Sequence, residues 1–233
     1  MLLSFVCLVP VWSLLNRFVY NGLYYFCTPL FIYDNHKIEK ITGNIVSGFH
    51  TLKCLQHVFQ ESYIRDIHFT YHSDVNYNSI VFFSVSYFIY DLLNDMRIKN
   101  TSFTFILHHS MSILTGVYLY NVNLSQIYLV ALFVELSNIN LNIKETMDIL
   151  ELKHLRFYII NGILFSLTFF LSRILYGPIA LRSSYLLTNE VNKYHELHNL
   201  PLILTGSFIT LNLFWFQKIV RIIIYKYRNY NNK

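Results

Sequence analysis

The chain has 233 residues, of which 54% are hydrophobic, 18% aromatic and only 13% charged, with a formal net charge of +5. A soluble domain carries roughly a quarter charged residues, so this balance excludes an ordinary soluble enzyme and predicts an all-α, multi-pass transmembrane bundle. The three cysteines contain no Cys-x-x-Cys and suggest neither a disulfide framework nor a cysteine zinc site, and no nucleic-acid partner is expected.

Apolar runs predict seven spans, in chain order residues 2–26, 42–61, 79–93, 103–120, 124–141, 157–180 and 200–225. The first lacks a basic start and a small-residue cleavage site, so it reads as a membrane helix rather than a leader, interrupted by Asn16 and Arg17. The second is the most polar, with His50, Lys53, Gln56 and His57. The third and fifth are short for a hydrocarbon core of about 30 Å. In the sixth, Gly177-Pro178 is expected to end or kink the helix, and Arg173 to snorkel or pair with lipid phosphate. Arg17 and Lys53 are also expected to snorkel. Tyr24, Tyr25 and Trp215 read as anchors at the membrane interface.

Basic residues give an orientation. The loops after the first, third and fifth spans, with the end of the chain from Lys218 onward, hold 12 of the 18 lysines and arginines, and the alternate loops hold Arg65, Arg182 and Lys193. The positive-inside rule therefore predicts a cytosolic C-terminus, and the Asn100-Thr101-Ser102 sequon falls on the cytosolic side. The organisation expected is a first helix and cytosolic loop over 1–41, a transmembrane domain over 42–227 and a tail over 228–233.

Polar residues within these spans gather at one height. At about 1.5 Å per residue, His50 lies about 12 Å and the adjacent pair His108-His109 about 8–10 Å in from the cytosolic side. Asp91, Glu135 and Asn138 fall at similar depth on neighbouring spans. Such residues are costly in lipid and are expected to face one another around a polar cavity entered from the cytosol. A carboxylate beside a histidine orients the ring and raises its basicity, as a nucleophile or general base requires. The candidate catalytic set is His108, His109, Asp91 and Glu135, with His50, Asn138 and Arg173 as lipid-contacting residues. Arg97 and Lys99, with Lys153 and Arg156, are expected to attract anionic headgroups or acyl-CoA phosphates at the entrance.

Histidine spacing offers a second reading. His68-x-x-x-His72 and His195-x-x-His198 have ligand-like separations, but they map to the opposite side from His108-His109, so no single metal site uses both sets and no metal is expected.

Val46-Ser47-Gly48-Phe49-His50, Ser86 to Leu92, His108-His109, Glu135-Leu136-Ser137-Asn138, Arg173 before Gly177-Pro178, and Asn212 to Phe216 occur in an order that resembles the TLC-domain family. That family includes ceramide synthases and translocating-chain-associating membrane proteins. The resemblance covers roughly 47–226. It implies about seven helices around a polar cavity, residence in the endoplasmic reticulum and a role in membrane lipid homeostasis. It implies membrane lipids as partners, with acyl-CoA and a sphingoid base as co-substrates of acyl transfer at the His-His pair and no bound cofactor; homo-oligomer formation stays open. Ceramide synthases carry paired aspartates downstream, where this chain has Glu135 and Asn138, and many carry a homeobox-like region that does not occur here. The pattern is closer to the small TLC-domain proteins. The alternatives are a non-enzymatic receptor or chaperone for membrane cargo and a histidine-metal hydroxylase.

Overall fold

A computed structural model describes residues 6–27, 34–64, 77–98, 102–192 and 199–231. His68, His72, His195, His198, Arg65, Lys99, Lys193 and Asn100-Thr101 lie outside these residues. The described residues form seven helical rods: α1 (Val9–Cys27), α2 (Asn35–Ile64), α3 (Asn78–Ile98), α4 (Phe103–Asn121), α5 (Ser125–Ile149), α6 and α7 (Leu200–Asn231). Two rods change pitch midway. In α5 a 3-10 turn, Leu132–Glu135, joins Ser125–Ala131 to Leu136–Ile149. In α6 a π-turn, Phe170–Leu175, joins Arg156–Phe169 to Tyr176–Asn192. Among the described residues, α5, α6 and α7 are long and apolar enough to cross a membrane by length and composition alone. The molecule is a helical membrane bundle.

Six rods close a ring in the order α2, α3, α4, α7, α6, α5, and α1 packs outside it on α2 and α3. Lipid tails are as apolar as leucine, so close packing and interhelical hydrogen bonds hold such rings together. The polar residues of α1 follow that logic. Trp12 Nε1 donates to Ser86 Oγ at 3.1 Å, its ring packs on Phe83 and Tyr87, and the Asn16 amide donates to the Tyr90 hydroxyl. The residue that interrupts the first apolar run is thus its docking contact.

One end of the ring is blocked. The first six residues of α5, Ser125 to Val130, are all buried and press against α2, α3, α4 and α6. Leu119, Leu124 and Leu129 are almost completely enclosed there. The reversal from α4 into α5 is tight because Asn123 takes a left-handed conformation (φ 56°), which asparagine tolerates better than most residues, and Leu124 N–H donates to the Leu119 carbonyl at 2.8 Å. Gly116 lets α4 approach closely, since a Cβ there would run into Val85 and the Tyr128 ring.

The opposite end carries Lys37, Arg97, Lys144, Lys153 and Arg156 and is called the basic end. Lys37 pairs with Glu151 at 3.0 Å, Arg97 with Glu39 at 3.2 Å, and Asp148 with both Lys144 and Lys153. The hydrogen bond from Lys37 holds the Glu151 carboxyl below the usual carboxylate range.

Helix bounds differ from the apolar runs in a consistent direction. The third and fifth runs looked short, but α3 has 21 residues and α5 25. The polar second run belongs to a 30-residue helix, about 45 Å long, and the boundary expected at 41/42 falls inside it. Gly177-Pro178 does not end α6, which continues to Asn192. Pro178 has no N–H and would crowd the carbonyl four residues back in a regular helix. The π-turn that ends at Leu175 widens the backbone at that point, an accommodation invisible in composition.

Candidate functional site

A cavity of about 620 Å³ occupies the ring and is lined by residues of α2 to α7. It begins among Glu39, Lys40, Asp95, Glu145 and Asp148 at the basic end and descends to His108, Glu135, Arg173 and Trp215. The buried start of α5 closes it below. Its walls are unlike. From α2, α3 and α4 come mainly polar groups, including Ser47, Asp91, Asn94 and the two histidines. The later part of α5 adds Asn138, Asn142, Glu145 and Asp148 beside Leu141 and Ile149, whereas α6 and α7 present mainly apolar groups, Phe165, Phe169, Trp215 and Ile219, with Arg173 and Lys218.

His109 and Asp91 meet across α3 and α4, with Nε2 3.0 Å from Oδ2. The other ring nitrogen, Nδ1, lies 3.1 Å from the Phe105 carbonyl, and the ring stacks on Phe105 with centroids 3.8 Å apart. A carbonyl only accepts, so Nδ1 carries a proton and donates it. Nε2 faces the Asp91 carboxylate. His109 has no ring nitrogen free. Its neighbour differs. The His108 ring lies edge-on to Trp215, Phe208 and His109, at 5.3, 5.7 and 5.3 Å between centroids, and its Nδ1 has no hydrogen-bond partner. Adjacent positions on one helix therefore place two imidazoles in different hydrogen-bonding surroundings, because successive side chains point about 100° apart.

Glu135 and Asn138 lie on the cavity wall, and Asn138 Nδ2 donates to Glu135 Oε2 at 2.8 Å. Asn138 Oδ1 accepts from Arg173 at 2.8 Å. Arg173 also donates to Ser137 Oγ at 2.8 Å and Asn212 Oδ1 at 3.1 Å, with Phe169 and Trp215 rings 5.1 and 5.9 Å from its guanidinium carbon. Arg173 was expected to snorkel; it is buried and faces inward instead, because the π-turn on which it sits aims it at α5 and α7. An arginine at mid-bilayer costs about 2.5–3.5 kcal/mol on insertion scales. Three interhelical hydrogen bonds at about 0.6 kcal/mol each recover less than that.

His50 does not reach the cavity. It is fully buried behind Tyr87, whose ring stacks on it at 3.9 Å and forms the wall. Its Nε2 meets Ser84 Oγ at 3.0 Å and Cys54 Sγ at 3.2 Å, and its Nδ1 lies 3.9 Å from Glu135. Trp215, read as an interface anchor, lines the cavity instead.

The entrance departs from expectation too. Arg97 and Lys153 are held in ion pairs. The lining carries Glu39, Asp91, Asp95, Glu135, Glu145 and Asp148 against Lys40, Arg173 and Lys218. The rim acids, Asn212 and Trp215 were missed as site residues. An arginine at membrane depth demands polar partners at its own height, and Asn212 was the asparagine available on the facing helix. Among the described residues no group of three or more His, Cys, Asp or Glu side chains could hold a metal ion.

Comparison with curated proteins gives no match. The family model described as TLC domain matches residues 11–221. That span takes in all but the outermost parts of the seven rods, α1 included, and the chain belongs to the TLC-domain family.

Proposed function

We propose that this protein takes the polar end of a membrane lipid into the cavity and transfers an acyl group to it. The observation that carries this reading is the pair of neighbouring histidines, His108 on the cavity wall and His109 hydrogen-bonded to Asp91, and we assign a shared proton to that bond. Acid and base roles separate where environments push paired groups apart. His108 takes the proton from the acceptor's amine or hydroxyl as that group attacks the acyl carbonyl. The bond from the carbonyl to its leaving group breaks, and the leaving sulfur or oxygen takes the proton held between His109 and Asp91. The Arg173–Asn138–Glu135 chain fixes the polar floor. The excess of carboxylates in the lining favours an amine-bearing acceptor, such as a sphingoid base. The basic end faces the cytosol, by the positive-inside rule, in the endoplasmic reticulum.

The test is acyl transfer by purified protein in lipid nanodiscs, with a labelled acyl-CoA donor and a long-chain amine acceptor. Labelled amide should form, and His108→Ala should lower its rate by about 10²–10⁴-fold, the usual worth of a positioned acid or base. Retention of lipid without any transfer, in the wild type and with a range of donors, would reject the reading in favour of a cargo receptor.

A further inference from the structure

The ring is not equally tight all round. On α6, the π-turn and the segment Tyr176–Asn192 pack on α7, but among the described residues the first segment, Arg156–Phe169, makes no more than marginal contact with it. The two rods diverge toward the basic end. Their last close contact is aromatic, with Phe216 against Phe169 and Phe170 at 6.3 and 5.5 Å between centroids. Above that sill, Phe165 of α6 and Ile219 of α7 line the cavity. Gly162 lies on the same face of α6 as Phe165 and Phe169, one turn further up, and a Cβ there would meet nothing within 4 Å. The outer surfaces flanking the seam are exposed and apolar, with Ile160, Leu164, Ile222 and Ile223.

We propose that this seam is a lateral portal that seats one hydrocarbon chain of a membrane lipid, with the chain between α6 and α7 and the polar end on His108, Asp91 and Arg173. The chemistry of the walls supports that one occupant. The apolar wall of the cavity is the wall that opens, and it leads to a surface which in a membrane protein of this kind meets lipid tails. The polar wall on α2, α3 and α4 is the one opposite. A ligand with a single amphipathic end fits both, oriented one way round. The proposal rests on the cavity as the site of lipid handling, and it adds the route and the chain.

The chain has two tryptophans. Trp12→Phe leaves Trp215, beside the sill, as the reporter. In vesicles of phosphatidylcholine whose acyl chains carry bromine, Trp215 emission should be quenched. Gly162→Phe sets a ring on a Cβ that meets nothing within 4 Å and improves helix propensity; quenching should fall about twofold as the chain is excluded. Phe165→Ala removes part of the jamb and should raise quenching. Gly206→Phe, in the half of α7 away from the seam and equally uncrowded, should change nothing. Equal quenching in the Gly162→Phe and Gly206→Phe proteins, or none in the Trp12→Phe parent, would overturn the portal. The readout is independent of chemistry. A portal that responds while His108→Ala leaves acyl transfer unchanged refutes the transfer reading alone, and the reverse pattern refutes the portal alone.

Discussion

Asp91→Asn and His109→Ala should separate the chemistry of the histidine–carboxylate couple from its contribution to folding. In the Asp91→Asn protein the new amide N–H points at His109 Nε2, which becomes a simple acceptor, while Nδ1 still donates to the Phe105 carbonyl. The bond survives and the extra proton goes. Stability should therefore change by less than about 1 kcal/mol, as for an exchange of one satisfied hydrogen bond for another. His109→Ala removes a hydrogen bond to a charged group, about 1.5–3 kcal/mol. It also removes a ring stacked on Phe105 at 3.8 Å, about 0.5–1.5 kcal/mol. Asp91 keeps 15% side-chain exposure, so water in the cavity recovers part of the loss, and about 2–4 kcal/mol remains. At about 2–4 °C per kcal/mol for a chain of this size, melting in detergent micelles should drop by about 5–15 °C for His109→Ala and hardly at all for Asp91→Asn. Acyl transfer should fall in both by about 10²-fold or more. Equal melting losses in the two proteins would mean that the couple is structural. An Asp91→Asn protein with full activity would refute the placement of a shared proton between the two groups.

Two further outcomes follow from the packing and the charge pattern. Gly116→Ala should destabilise the bundle by about 1–3 kcal/mol, the usual cost of overpacking, because the new methyl meets Val85 and Tyr128; thermal unfolding reads it, and a neutral result would mean that α4 can shift away. With the basic end in the cytosol, a cysteine at Lys226 should react with a membrane-impermeant maleimide added to the cytosolic side and one at Tyr185 only after the lumen is opened, and labelling of both from one side would discard the orientation.

The sequence made the rods and the height of the site legible, because membrane depth is counted along a helix at a fixed rise and an intramembrane His-His pair has few cheap explanations. Asp91, His108, His109, Glu135 and Asn138 do share one cavity. Azimuth was harder to read. His50 sits at the right height but turns behind Tyr87, and Trp215 has the composition of an anchor but turns inward. Arg173 points where it does because a π-turn rotates it, and Pro178 fits within α6 for the same backbone reason. A π-turn takes in an extra residue and so shifts the angular register of the side chains beyond it, which the length of an apolar run does not report. The acidic rim escaped because a basic residue counts equally for loop charge whether it is free or held, as Arg97 is by Glu39.

The buried start of α5 has a consequence for traffic. Leu124 and Leu129, beyond the lining of the cavity, are enclosed on every side, and crossing would mean unpacking that buried end of the bundle. The cavity is therefore a cup and not a conduit, and under the proposed function the lipid it admits and the product it releases belong to the same half of the bilayer. On the proposed reading, a chain still seated in the seam bars the next one, so a product slow to leave blocks its own successor.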